Sequence, residues 1–303
     1  MKRFLGVLFC VFLVITAGCG NTDEGRYLKK DGYNIDYVTL EAGIEKPVRL
    51  VVVNDLHLQI NNEEISEENK EFMTARVNEF ATGGVTTEKR WERLPKLINK
   101  TEADYVAFIG DIADFNSIAT TEALKKGFSE LNKPYMYLRA DHDIEAYWQN
   151  SADYTTLLNR QAEICDFKEV FVEELDEIVL VGINMSQNNI SENTYLVVKE
   201  AMEIGKPVII LTHVPVAQME GGELQSFSEQ VRDGRRLYWG HGAMEPSPAT
   251  ECLLNDIYAE DSPVVAVLAA HIHGSIEVFV NESVVEHVFA PCYLGNIGIV
   301  TIE

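Results

Sequence analysis

Five apolar runs in this sequence stop on aspartate or histidine, and the stops are where chemistry can begin. Leu50-Val51-Val52-Val53 stops on Asn54-Asp55-Leu56-His57, Tyr105-Val106-Ala107-Phe108-Ile109 on Gly110-Asp111-Ile112-Ala113-Asp114, and Tyr135-Met136-Tyr137-Leu138 on Arg139-Ala140-Asp141-His142-Asp143. Val208-Ile209-Ile210-Leu211-Thr212 then stops on His213-Val214-Pro215, and the run 264–270 on His271-Ile272-His273. Residues two apart on an extended chain share a face, so a continuing first strand would aim Asp55 and His57 at one point and return Leu56 to the packing. Each stop has an ordinary explanation by itself: Asp111 as a turn residue, His213 as a satisfied core histidine, His271 with His273 as a surface pair. Together they form a donor set of carboxylate and imidazole without thiolate, which suits manganese, iron or zinc in a catalytic rather than a structural role.

The runs themselves are β-branched and unbroken, the pattern of central strands covered on both faces. Helical periodicity lies between them. Thr86-Thr87-Glu88 opens a helix to Asn99 that shows Trp91, Leu94, Leu97 and Ile98 on one face, with Pro95 as a kink; further helices are expected over 121–131, 157–164, 195–204 and 250–258. Residues 178–183 read as another strand, 33–40 as an edge strand, and 279–303 as antiparallel strands. Strands alternating with helices, each strand ending in polar residues, predict an α/β fold whose ligands bind at the carboxyl ends of the strands. Two long connections remain, one after His57 with a helix over 63–80 and one over 216–250, and connections of that length cover sites.

Met1-Lys2-Arg3 and the apolar run 4–17 have the form of a secretory leader, too short to persist as a spanning helix. Thr16-Ala17-Gly18-Cys19 resembles a bacterial lipoprotein signal, in which the cysteine is diacylated, with Thr16 in place of the usual aliphatic residue. The expected organisation is a signal peptide over 1–18, a tether over 19–32 and one domain over 33–303, held outside the cytoplasm on a bacterial membrane through lipid on Cys19. Lys and Arg number 25 against 48 Asp and Glu, and at a net charge of -23 no nucleic-acid-binding surface is expected. Cys165, Cys252 and Cys292 remain after the leader and anchor, an odd, widely spaced trio that is no disulfide framework and is expected to be buried thiols.

Asp55-x-His57, Gly110-Asp111-x-x-Asp114, Asp141-His142-Asp143, His213-x-Pro215 and His271-x-His273 resemble, in order and rough spacing, the calcineurin-like metallophosphoesterases, over about residues 48 to 303. The resemblance implies a four-layer αββα sandwich of two mixed β-sheets. It implies two metal ions, manganese and/or iron (Fe2+/Fe3+) with zinc as the alternative: Asp55, His57 and His273 on one, Asp141, His213 and His271 on the other, Asp111 bridging. His142 would contact the phosphate and assist the leaving group without binding metal, with Asp143 to orient it. The implied reaction is hydrolysis of a phosphomonoester or phosphodiester, on a phosphorylated small molecule or a cell-surface substrate, by hydroxide formed from a water between the metals. The alternative is a surface lipoprotein that binds a ligand or metal without turnover. Arg139, Arg235, Arg236, Tyr238 and His241 are candidates to touch a phosphate or base. Three positions depart from the family pattern: Ala140 and Ala270 stand where it has glycine, and Asp141 where it has asparagine, which adds a negative charge.

Overall fold

Alternation inside the apolar runs decides which way each strand faces. In the computed structural model, which describes residues 27–30, 32–60, 65–114, 116–144, 153–216, 221–240 and 244–303, Leu50 and Val52 point to one core while Val51 and Val53 point to another. The leader, Cys19, most of the tether and His241 lie outside the described residues.

The first half of the chain supplies β1 (Tyr27–Lys30), β2 (Tyr33–Leu40), β3 (Val48–Val53), α1 (Lys70–Phe80), α2 (Thr87–Lys100), β4 (Tyr105–Ile109), α3 (Ile118–Ser129), β5 (Tyr135–Leu138), α4 (Asp141–Ile144) and α5 (Tyr154–Ile164). The second half supplies β6 (Val170–Glu174), β7 (Val179–Ile183), α6 (Glu192–Met202), β8 (Val208–Leu211), α7 (Glu223–Val231), α8 (Pro248–Tyr258), β9 (Val264–Ala269), β10 (Ile276–Phe279), β11 (Val285–Val288) and β12 (Asn296–Ile302). They form two 6-stranded sheets, ordered β1-β2-β12-β3-β4-β5 and β10-β11-β9-β8-β7-β6. Parallel pairs β2–β12, β3–β4, β4–β5, β7–β8, β8–β9 and β9–β11 are joined by antiparallel pairs β1–β2, β3–β12, β6–β7 and β10–β11, so both sheets are mixed.

Leu50, Val52, Ala107, Ile109, Met136 and Leu138 face Leu180, Ile209, Leu211 and Leu268 across the inter-sheet core. On the outer face of the first sheet, Val51, Val53, Val106 and Phe108 pack under Trp91, Leu94 and Ile98 of α2 and Leu124 and Phe128 of α3. On the outer face of the second, Val179, Val181, Ile210 and Val267 pack under Val198 of α6 and Leu253, Leu254 and Ile257 of α8. Helix, sheet, sheet, helix: this is the four-layer αββα sandwich, and it places the carboxyl ends of β3, β4, β5, β8 and β9 side by side. Serine or threonine side chains accept from the N–H three residues on at the starts of α2, α3, α6 and α8, which fixes where each helix begins.

Several expectations are corrected here. β2 is an inner strand, flanked by β1 and β12, because the last strand returns to the first sheet and lies parallel to β2 and antiparallel to β3. Residues 279–303 therefore serve both sheets, and β11 lies parallel to β9. The connection after Val216 contains α7, a helix carried by Leu224 on its buried side. Of the three cysteines only Cys292 is fully buried; Cys165 is intermediate and Cys252 exposed.

Candidate metal centre

Beyond β3 and β4 the backbone leaves the extended region but keeps its ladder. The N–H groups of Asp55, His57 and Leu58 donate to the carbonyls of Gly110, Asp111 and Ile112 at 3.0, 2.9 and 2.7 Å, and Asp114 N–H donates back to Leu58 at 3.0 Å. Leu56, Leu58, Ile112 and Ala113 are drawn into the outer core, which turns the polar residues between them to the opposite side. Asp55 and His57 have φ of 41° and 49°, so they converge through left-handed turns and not along a continuing strand as the pleat pattern suggested. Among the described residues the non-glycine positions with such angles are Asp55, His57, Asp111, Asn188, Asp233, His271 and His273, and five of these seven are candidate ligands. Each costs on the order of 1 kcal/mol, and clustered outliers of this kind mark functional sites. Ala140 and Ala270 are not among them, so alanine meets no steric penalty there. Gly110 does require glycine: its φ is +95°, and a Cβ would lie 2.6 Å from His213 Nδ1.

The loops bring all seven proposed ligands to one place. Asp55, His57, Asp111 and His273 each offer a donor atom within 4.8 Å of the others; Asp111, His213 and His271 do the same, as do Asp111, Asp141 and His142. Asp111 belongs to all three groups. Its Oδ2 lies 3.2 Å from His213 Nε2 and 3.7 Å from His57 Nε2, while Asp55 Oδ1 lies 3.2 Å from His273 Nε2. The Oδ1 atoms of Asp55 and Asp111 are buried without a hydrogen-bond partner. Two imidazole pairs also face each other nitrogen to nitrogen, His57 with His273 at 3.3 Å and His271 with His213 at 3.1 Å. Orphaned carboxylate oxygens and opposed ring nitrogens are the environment that divalent cations satisfy, so these residues fit a two-metal site.

Outer partners fix three of the four ligand rings. His57 Nδ1 contacts Asp114 Oδ1 at 2.9 Å, His213 Nδ1 the carbonyl of Ile109 at 2.9 Å, and His273 Nδ1 the hydroxyl of Tyr293 at 3.3 Å. Phe80 stacks flat on His57 with ring centres 4.2 Å apart. Asp55 Oδ2 accepts from Asn54 Nδ2 at 2.8 Å and from the His271 N–H at 3.3 Å, which leaves Oδ1 directed at the histidines.

Burial alone would raise the carboxylates, but neighbouring histidines win: His273 and His213 hold Asp55, and His213 and His142 hold Asp111, below the usual range. Asp114 is likewise held low against its burial, by His142, His57 and Arg76. Burial would lower His142 and His213, yet Asp111 with Asp114, and Asp111 with Asp55, push each up to about 10. His271 goes the other way, to about 3, under burial and the charge of His213.

Asp143 does not face His142. Its carboxylate accepts from the N–H groups of Asp111, Ala113 and Ala140 at 2.8, 2.8 and 2.9 Å and from the Tyr137 hydroxyl at 2.6 Å. The carboxylate beside His142 is Asp114, 3.0 Å from its Nδ1. Adjacent residues on a helical turn point about 100° apart, so α4 sends His142 to the site and Asp143 beneath it. Arg139 is also corrected: it is fully buried and donates to the carbonyls of Gln161 and Cys165. Arg235 and Arg236 are spent on the Arg232 carbonyl and Glu229, and Tyr238 is buried. Residues that the sequence did not single out are Arg76, Phe80, Asn188 (3.4 Å from Asp141) and Tyr293; each reaches the site from a connection.

The family model for calcineurin-like phosphoesterases matches residues 48–275, and the chain belongs to that family. No curated protein matches it. Similar solved structures include a dimetal phosphatase from Danio rerio, 11% identical over 82% of this chain and 88% of that one at a TM-score of 0.45. A purple acid phosphatase from yellow lupin seeds is 10% identical over 88% of this chain and 46% of that one, at 0.46. The protein TT1561 of Thermus thermophilus is 13% identical over 82% of this chain and 91% of that one, also at 0.46.

Proposed function

We propose that this phosphoesterase hydrolyses phosphoester bonds at a dinuclear centre in which Asp55, His57 and His273 hold one ion, Asp141, His213 and His271 the other, and Asp111 both. The observation that supports it most is the shared position of Asp111 in all three groups, with a buried oxygen of its own still unpartnered. Bound manganese, iron or zinc would lower the pKa of a water and offset charge on the phosphoryl oxygens. The chain's own residues do the rest. His142, with Nδ1 3.0 Å from Asp114 Oδ1, keeps Nε2 to give a proton to the departing oxygen as the ester P–O bond breaks and the water oxygen bonds to phosphorus. The extra carboxylate of Asp141 favours singly charged diesters over doubly charged monoesters.

Purified protein reconstituted with manganese, iron or zinc should hydrolyse generic diesters, and more slowly monoesters, with activity lost on chelation and in Asp111→Ala. Both ions bound with no turnover on either class would overturn the reading in favour of a binding protein. Lipid on Cys19, proposed from the leader, is tested by fractionation: Cys19→Ala should leave the membrane with its leader removed, and retention on the membrane would reject the anchor.

A further inference from the structure

The connection after His57 reads in the sequence as a cover over the site. In the structure its helix α1 works from the other direction. Met73 is buried, with its carbonyl and sulfur beside Gln59, and one turn further on Arg76 turns inward. The guanidinium straddles Asp114: Nε lies 3.0 Å from Oδ2 and Nη2 2.6 Å from Oδ1. Phe80, four residues on and so on the same helix face, is the ring stacked on His57, and the guanidinium lies 4.6 Å over it. α1 therefore holds, with one face, both an imidazole of the site and the carboxylate that serves two imidazoles.

Asp114 has no exposed surface and few lone pairs to spare. Oδ1 meets His57 Nδ1 at 2.9 Å, His142 Nδ1 at 3.0 Å and Arg76; Oδ2 meets Arg76. Without the guanidinium, the carboxylate could rotate about its own Cβ–Cγ bond and carry both imidazole contacts with it. A fork that grips both oxygens is the geometry that prevents this, and lysine cannot reproduce it.

We propose that Arg76 is a positioning residue for the reaction: by fixing both oxygens of Asp114 it fixes the direction in which His142 presents Nε2, so the inserted helix is part of the catalytic centre. This rests on the hydrolytic reading above, with His142 as proton donor. Supporting partners of this kind are typically worth about 10–100-fold in activity.

The test compares wild type, Arg76→Met, which keeps an unbranched stem without the guanidinium, and Arg76→Lys, which keeps the charge, at equal measured metal content. Arg76→Met should retain both ions and KM, and should lose kcat roughly 10–100-fold on an ester whose alkoxide departs poorly. An activated aryl ester that needs no proton should lose much less, and Arg76→Lys should recover part of the deficit. Independently of turnover, the downfield Nδ1–H resonance of His142, assigned by its loss in His142→Ala, should shift and exchange faster with solvent in zinc-loaded Arg76→Met. Equal losses on both esters, an unmoved resonance, or loss of an ion would each overturn the proposal, the last because the effect would then run through His57. Wild type with both ions and no hydrolysis would instead sink the functional reading, and the resonance would still decide whether Arg76 positions His142.

Discussion

The two sheets furnish the centre with different chemistry and brace it by different means. From the ends of β3, β4 and β5 come Asp55, Asp111, Asp114, Asp141, His57 and His142; from β8 and β9 come His213, His271 and His273 alone. The first group is braced from within its own half, by Asp114 between two histidines, by Asp143 under three backbone N–H groups and by Arg76 and Phe80. The second leans across the seam: His213 on the carbonyl of Ile109, the His271 N–H on Asp55, and His273 on Tyr293. The difference implies that the first half is preformed by the fold, whereas the second is positioned by the first.

Asp143→Ala attacks that asymmetry at its base and should have the largest effect. It strands three buried N–H groups and a tyrosine hydroxyl, each worth about 1–3 kcal/mol when left unmade, and frees the loops that carry Asp111 and Asp141. Thermal unfolding should show several kcal/mol lost, with both ions gone. Tyr293→Phe, the matching cut on the other half, removes a single part-buried contact and should cost about 1 kcal/mol or less. Comparable losses from the two variants would break the comparison.

His142→Ala comes next. It should lower turnover roughly 10²–10⁴-fold, the usual range for a general acid, while metal analysis finds both ions retained. An ion lost from this variant would move His142 into the ligand set.

What could be read before the fold was known follows a physical line. Runs such as Val51 to Val53 and Phe108 to Ile109 announce buried strands by themselves, and the residue at each stop needs no partner to be noticed. The four layers came from the motif resemblance and not from composition. Asp143 was misassigned because sequence adjacency looks like spatial adjacency, and a single helical turn undoes it. Arg76 and Tyr293 carried no signal, since an arginine on an acidic helix and a tyrosine after Cys292 become informative only when Asp114 and His273 are found beside them. The return of β12 between β2 and β3 is likewise a pairing between distant segments that no local window contains.

Acidity acts on both halves at once, and more gently. In chelator-treated protein, His142 and His213 hold protons to about 10, whereas the unfolded chain releases them near 6.5. Their stabilisation is complete below about 6.5 and lost as pH rises through about 10. His271, at about 3 in the fold, acts in the opposite sense: below about 6.5 the unfolded chain takes a proton that the folded one refuses. The buried carboxyls of Asp143, pushed up to about 6, and Glu286, pushed up to about 8, favour the fold increasingly as pH falls and offset His271, so melting temperature without metal should fall steadily from 6.5 to 10. Added metal should raise it most on the alkaline side, where His213 gives up its proton most readily. A flat profile from 6.5 to 10 would contradict the assigned shift.

Asp141 should give the smallest change and the sharpest one. Two divalent ions bring four positive charges, and Asp55, Asp111 and Asp141 return three, leaving +1 where asparagine would leave +2. A unit charge about 4 Å away is worth about 4 kcal/mol at an effective dielectric of 20, before screening. Asp141 is only partly buried and its oxygens already accept from the His142 N–H at 3.0 Å and from Asn188 at 3.4 Å, so most of that is screened. What survives, about 1.4 kcal/mol, is a factor of ten. A dianionic monoester feels the added carboxylate roughly twice as strongly as a monoanionic diester. Asp141→Asn, at fixed metal content, should therefore raise the ratio of monoester to diester kcat/KM about tenfold. Because Asp141 sits on the half that the fold preforms, the exchange should leave ion content and melting temperature nearly unchanged; an unaltered ratio with the same ions bound would remove charge as the basis of substrate choice.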